Sequence, residues 1–158
     1  HILIDDYAHH PTELNAVIGS IRTFNPGKKL LVVFQPHLYQ RVIDLKPSRA
    51  NALEFCLGSL AEMTEGNIYE AVDQYAKQKK LAYVHFRNVT GKVPYYRETF
   101  IDDGDIDMLR VLQILKQHNY DGVLIPDHTP QMSCSAPWHA GMAYALGYMR
   151  AALQALER

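Results

Sequence analysis

Read for its apolar positions alone, the chain alternates short continuous runs with stretches of helical spacing. Ile2-Leu3-Ile4 reads as a strand. His10-Pro11-Thr12-Glu13 then starts a helix, with proline pre-set for the first turn. Leu14, Val17, Ile18 and Ile21 follow at i, i+3, i+4 and i+7, on one face. Asn25-Pro26-Gly27 stops that helix, and Leu30 to Phe34 is a continuous apolar run of the kind buried on both faces of a parallel sheet. Gln40 to Ala52 is the least regular stretch and predicts a junction. Beyond it Leu53 to Cys56 reads as a short strand. Asn67-x-x-Glu70 reads as a capping box before a helix with Ile68, Ala71, Val72 and Tyr75 on one face. Leu81 to Phe86 is a buried strand, and Asp105 is the expected cap of a helix whose apolar residues include Met108, Leu109, Leu112 and Leu115. Gly122 to Ile125 is another strand, and Trp138 to Leu156 a long final helix.

This βαβα order predicts an α/β fold with parallel strands. About five strands can be counted, too few for a closed eight-stranded barrel, which takes about 250 residues. Half of a (β/α)8 barrel or an open parallel sheet is therefore expected, as one α/β domain over residues 1–158.

Composition narrows the function classes. Apolar residues make up 47% of the 158 and charged residues 21%, ordinary values for a globular domain that buries a core. The net charge of −1 and the lack of any basic block argue against a nucleic-acid or anionic-membrane surface. No apolar run approaches the roughly 20 residues that a membrane helix needs. Two cysteines, Cys56 and Cys134, are too few for a disulfide framework, so a reduced, cytoplasmic setting is expected. There is no secretory signal pattern, and the chain opens on a strand-like segment at His1 rather than on Met, which predicts a piece of something longer.

Candidate chemistry falls at the strand ends. The apolar runs lead into Asp5 and Asp6, His37, Cys56, His85, and Asp127 with His128. In parallel α/β folds the loops at the carboxyl ends of the strands face one crevice, where sites collect. Any one such residue is more often a cap or a solvated loop side chain. Cys56, His85 and Asp127 together are different: a thiolate, an imidazole and a carboxylate could converge on one divalent ion. That mixed donor set suits zinc, iron or manganese better than magnesium or calcium. The plainer alternative makes Cys56 a small buried apolar residue and His85 a hydrogen-bonded core side chain. The segment DDYAHHPTEL, residues 5–14, is also rich in ligand types.

From about Ser48 onward, four segments resemble the carboxyl-terminal part of mannonate dehydratase: NALEFCLGSL, AYVHFRNVTGKVPYYRETFIDDGDIDM, GVLIPDHTP and PWHAGMAYALGYMRA. The resemblance implies a half-barrel over residues 48–158 from a (β/α)8-barrel lyase. Such a lyase removes water from D-mannonate to give 2-keto-3-deoxy-D-gluconate, using Mn2+ or Fe2+. It implies that Cys56, His85 and Asp127 are metal ligands and that His128 is an acid–base group. His139 lies where the family places further catalytic groups. Arg87 could face the substrate carboxylate bidentately, a solvated or structural arginine being the alternative.

Residues 1–43 resemble something else. IDDYAHHPTEL followed by VVFQPHLYQR is similar to the start of the carboxyl-terminal domain of a Mur ligase, closest to UDP-N-acetylmuramate–L-alanine ligase. There Tyr7, His9, His37 and Arg41 correspond to positions near the substrates. No G-x-x-x-x-G-K-[ST] loop occurs in the chain, so no ATP site is visible. A further histidine ligand, which the dehydratase family supplies from an earlier strand, is absent, and His37 or His9 could replace it. The expectation is a composite chain whose partner is a small sugar acid. Unpaired strand edges would favour a homo-oligomer. The alternatives are a fragment of an ATP-dependent ligase or an inactive composite domain.

Overall fold

The computed structural model describes residues 11–30, 32–34, 43–44 and 47–157. Four strands form a parallel sheet: β1 (Val32–Phe34), β2 (Asn51–Cys56), β3 (Leu81–His85) and β6 (Val123–Ile125), in that spatial order. Chain order and sheet order coincide, as in successive right-handed βα units. The described helices are α1 (Pro11–Phe24), α2 (Leu57–Ala61), α3 (Ile68–Lys77), α4 (Met108–Gln117) and α5 (Pro137–Leu156). The expected α/β class with parallel strands is therefore observed. The strand expected at Ile2–Ile4 lies outside the described residues.

Alternation along the strands divides the sheet into two faces. Leu53, Phe55 and Val84 are buried and belong to the hydrophobic cluster with Val72, Tyr75, Val111, Leu112 and Leu115 of α3 and α4. Phe55 meets Tyr75 with ring centroids 6.0 Å apart. Glu54, Cys56, Tyr83 and His85 alternate with those core residues, and the register sets Glu54 opposite Tyr83 and Cys56 opposite His85. One face thus carries the apolar core and the other carries the polar chemistry.

α3 starts as its sequence predicts. Asn67 Oδ1 accepts from the backbone N–H of Tyr69 at 3.0 Å and of Glu70 at 3.5 Å, while Asn67 Nδ2 donates to Glu70 Oε1 at 3.3 Å. α3 and α4 end in the same way. Lys79 (φ 57°) and Asn119 (φ 50°) take the left-handed conformation. The next residues, Lys80 and Tyr120, then donate back to Tyr75 and Leu115 at 2.9 and 3.0 Å. Each helix is thereby closed and the chain turned directly into the following strand.

One expectation for α4 is corrected. Its cap is Asp107, whose carboxylate accepts from Arg110 N at 3.0 Å. Asp105 instead accepts from Gly91 N at 2.8 Å. Leu109, also apolar, is 43% exposed, because the buried stripe runs Met108, Val111, Leu112, Leu115.

The sequence reading also missed an antiparallel hairpin, β4 (Val89–Lys92) with β5 (Tyr95–Glu98). It is tied down by Asn88, which is fully buried. Asn88 Nδ2 donates to Ile101 O and Ile106 O at 3.0 and 2.9 Å, and Oδ1 accepts from Val89 N and Ile106 N at 3.0 and 3.1 Å. Every hydrogen-bonding position of the amide head group is used. A side chain at Gly104 would place its Cβ only 2.1 Å from Asn88 Oδ1, so glycine is required where the loop passes over that amide.

Candidate metal centre

β2 and β3 end side by side, and their last residues, Cys56 and His85, are register partners. Asp127 comes two residues after β6, held at φ 57° in the left-handed region that Asp tolerates better than most residues. The donor atoms of Cys56, His85 and Asp127 all lie within 4.8 Å of one another. Donors bound to one ion at about 2.0–2.3 Å stand at most about 4.5 Å apart, so a small inward adjustment lets the three share an ion. Their chemistry fits as well: a soft thiolate, a borderline imidazole and a hard carboxylate.

The surroundings favour the ligating form of the thiol. Burial pushes the Cys56 pKa up, but the hydrogen bond with His85 and the charge of Arg87 outweigh it, leaving the thiol below its ordinary value. That same hydrogen bond, supported by the carboxylates of Asp127 and Glu54, lifts His85 above its ordinary value against the effect of burial. His85 Nδ1 lies 3.1 Å from Glu54 Oε1 and 3.3 Å from Asp127 Oδ2, and Tyr83 OH donates to Glu54 Oε2 at 2.8 Å. A carboxylate behind a ligating imidazole fixes the ring's orientation.

Arg87 is only 5% exposed. Its Nε donates to Cys56 Sγ at 3.2 Å and lies 3.4 Å from Asp127 Oδ2. Nη1 donates to Glu98 Oε1 at 2.5 Å, and Nη2 to Ser59 Oγ at 3.2 Å. The guanidinium is thus spent inside the protein, tying two candidate ligands to the hairpin. Its charge persists because Cys56 and Glu98 offset the cost of burial. Gly58 makes room for it: a Cβ there would lie 2.6 Å from Arg87 Cζ. We expect Gly58→Ala to displace the guanidinium and cost about 1–3 kcal/mol, with thiolate absorbance at Cys56 appearing at higher pH. Urea unfolding and an ultraviolet pH titration check this, and an unchanged titration would show that Arg87 does not act on the thiol.

His128 is exposed and sits beside the cluster, with Nδ1 3.0 Å from Glu98 Oε1 and Nε2 3.8 Å from Asp127 Oδ1. His139 is exposed in the first turn of α5 and takes no part in these ion pairs. Tyr7, His9, His37 and Arg41 lie outside the described residues. Glu54 and Glu98 were not foreseen as members of the site. Glu54 could have been found from its i, i+2 spacing to Cys56 on one strand face. Glu98 needed the hairpin, for which Val89-Thr90-Gly91 and Pro94-Tyr95-Tyr96 were the available turn and strand signals.

Comparison with known proteins gives the family and the fold. The family model described as D-mannonate dehydratase (UxuA) matches residues 31–158. Mannonate dehydratase of Lactococcus lactis subsp. cremoris is 27% identical over 126 residues, covering 74% of this chain and 35% of that protein. The crystal structure of mannonate dehydratase from Streptococcus suis serotype 2 superposes with a TM-score of 0.72 at 22% identity, over 91% of this chain and 48% of that one. The N-terminal part is similar to UDP-N-acetylmuramate–L-alanine ligase of Flavobacterium johnsoniae, 54% identical over 52 residues, 33% of this chain and 12% of the ligase. The chain therefore spans about a third of the curated dehydratase and about an eighth of the ligase.

Proposed function

We propose that this chain, which belongs to the D-mannonate dehydratase (UxuA) family, carries a metal-binding and acid–base half-site of a hydro-lyase. The reaction converts D-mannonate to 2-keto-3-deoxy-D-gluconate and water. The observation that carries this reading is the convergence of Cys56, His85 and Asp127 donors within 4.8 Å at three neighbouring strand ends. These residues would hold Mn2+ or Fe2+, with Zn2+ also suited to the donors. The ion supplies a positive charge that makes the proton beside a carboxylate more acidic. His128, next to Asp127 and open to solvent, would take that proton or deliver one to the departing hydroxyl, so that the hydroxyl leaves as water. Arg87 favours the thiolate form of Cys56 rather than binding the substrate carboxylate, because its Nε, Nη1 and Nη2 each already donate inside the protein, to Cys56, Glu98 and Ser59. His139 completes the proposed set of acid–base residues, from α5.

β1 and β6 have no further strand partner among the described residues. A half-barrel with such edges is best closed by a second copy, so we propose a homo-oligomer. No helix among the described residues is long and apolar enough to cross a membrane, and the two free cysteines accord with a reduced, cytoplasmic setting. The test measures metal content and D-mannonate turnover on one sample, under anaerobic Fe2+ or with Mn2+, alongside sedimentation. Metal-loaded protein without turnover in any assembly state would sink the catalytic reading. A ligase fragment is the second reading, favoured by the 52-residue match to the muramate–alanine ligase. It predicts binding of Mg-ATP by calorimetry, which the dehydratase reading does not.

A further inference from the structure

We infer that Glu98 is the positioning residue that sets which nitrogen of His128 carries the proton. The inference deepens the proposed acid–base role of His128 and rests on it. Glu98 ends β5, the hairpin strand, and is opposite Val89 in the register. The backbone N–H of its neighbour Thr99 donates to Asn88 O at 3.4 Å, so the buried Asn88 that staples the loop also anchors this end of the hairpin.

One oxygen of Glu98, Oε1, receives both Arg87 Nη1 at 2.5 Å and His128 Nδ1 at 3.0 Å. Its other oxygen, Oε2, is buried with no hydrogen-bond partner. A carboxylate beside a buried guanidinium is an acceptor only, so the shared hydrogen on the His128 side belongs to Nδ1. A neutral imidazole has one N–H, and with Nδ1 holding it, Nε2 becomes the open, proton-accepting nitrogen. Nε2 is also the nitrogen 3.8 Å from Asp127 Oδ1, on the side of the candidate metal ligands. Glu98 thereby links the two halves of the site: through Arg87 it reaches the thiol, and through Nδ1 it aims the proton carrier.

The test reads the ring directly. With histidine ring nitrogens labelled with nitrogen-15, proton–nitrogen correlation spectra of the whole chain are recorded at slightly alkaline pH, where an ordinary imidazole is neutral. The expected result is a His128 ring in the Nδ1–H tautomer, assigned by its loss in His128→Gln. Glu98→Ala should move it to the Nε2–H tautomer, while Glu98→Asp restores part of the Nδ1–H population. An Nε2–H ring in the unaltered chain, or an Nδ1–H ring that survives Glu98→Ala in a protein that still melts cooperatively, overturns the inference. Where D-mannonate turnover is present, Glu98→Ala should lower it about 10- to 100-fold with metal content unchanged. Absence of turnover bears on the function reading alone, because the tautomer is read without metal or substrate.

Discussion

Replacing Cys56 by Ser together with His85 by Ala should abolish metal-dependent stabilisation of this protein. In the unaltered chain, metal at a concentration about 100 times its dissociation constant should raise stability by about 2.7 kcal/mol. In the double variant that gain should vanish, with affinity lowered by more than about 100-fold, beyond the 10- to 100-fold typical of a supporting residue. Both partners are needed because they are adjacent on paired strands and share one hydrogen bond. Affinity should also rise with pH, since His85 must lose a proton to ligate and its pKa lies above the ordinary imidazole value. Calorimetric titration with Mn2+ and thermal melts with and without chelator measure both effects. Equal metal stabilisation in the variant and its parent would remove the site altogether.

The second large effect is on folding. Asn88→Ala deletes four hydrogen bonds and leaves Ile106 N–H, Val89 N–H and two carbonyls without their partner in a buried setting. Unpaired buried groups cost about 1–3 kcal/mol each before relaxation, so a loss of about 3–5 kcal/mol is expected. At about 2–4 °C per kcal/mol for a domain of this size, the melting midpoint should fall by roughly 10 °C. The hairpin and the loop over Gly104 should exchange their amide hydrogens faster than β2 and β3 do. A shift of less than about 1 kcal/mol in urea unfolding would mean that the staple is redundant.

These two places in the fold mark what the sequence made legible and what it hid. Cys56 and His85 were readable because buried parallel strands are continuous apolar runs, and a polar residue at the end of such a run stands out. The Asn67 cap was readable because capping is local: donor and acceptor lie within three residues. Asn88 was not, because all its partners but Val89 are 13 and 18 residues away and only tertiary structure brings them together. Asp105 was read as the cap for a related reason. Four aspartates, Asp102, Asp103, Asp105 and Asp107, closely precede α4, and a long-range contact with Gly91 takes Asp105 out of the competition to cap it. Arg87 was readable as a site residue two positions after His85, but Glu98 was not, because only the hairpin brings its carboxylate against the guanidinium that bonds the thiol.

The coincidence of chain order and sheet order has a consequence for how the molecule comes into being. During synthesis each of the four described parallel strands leaves the ribosome after the one it pairs with, so among them each addition extends an existing edge rather than entering between formed neighbours. Cys56 and His85 can meet as soon as β3 docks on β2, whereas Asp127 joins only when β6 has followed. The three donors are therefore gathered in the order in which they are translated, and the candidate metal centre is complete only once β6 has docked on β3.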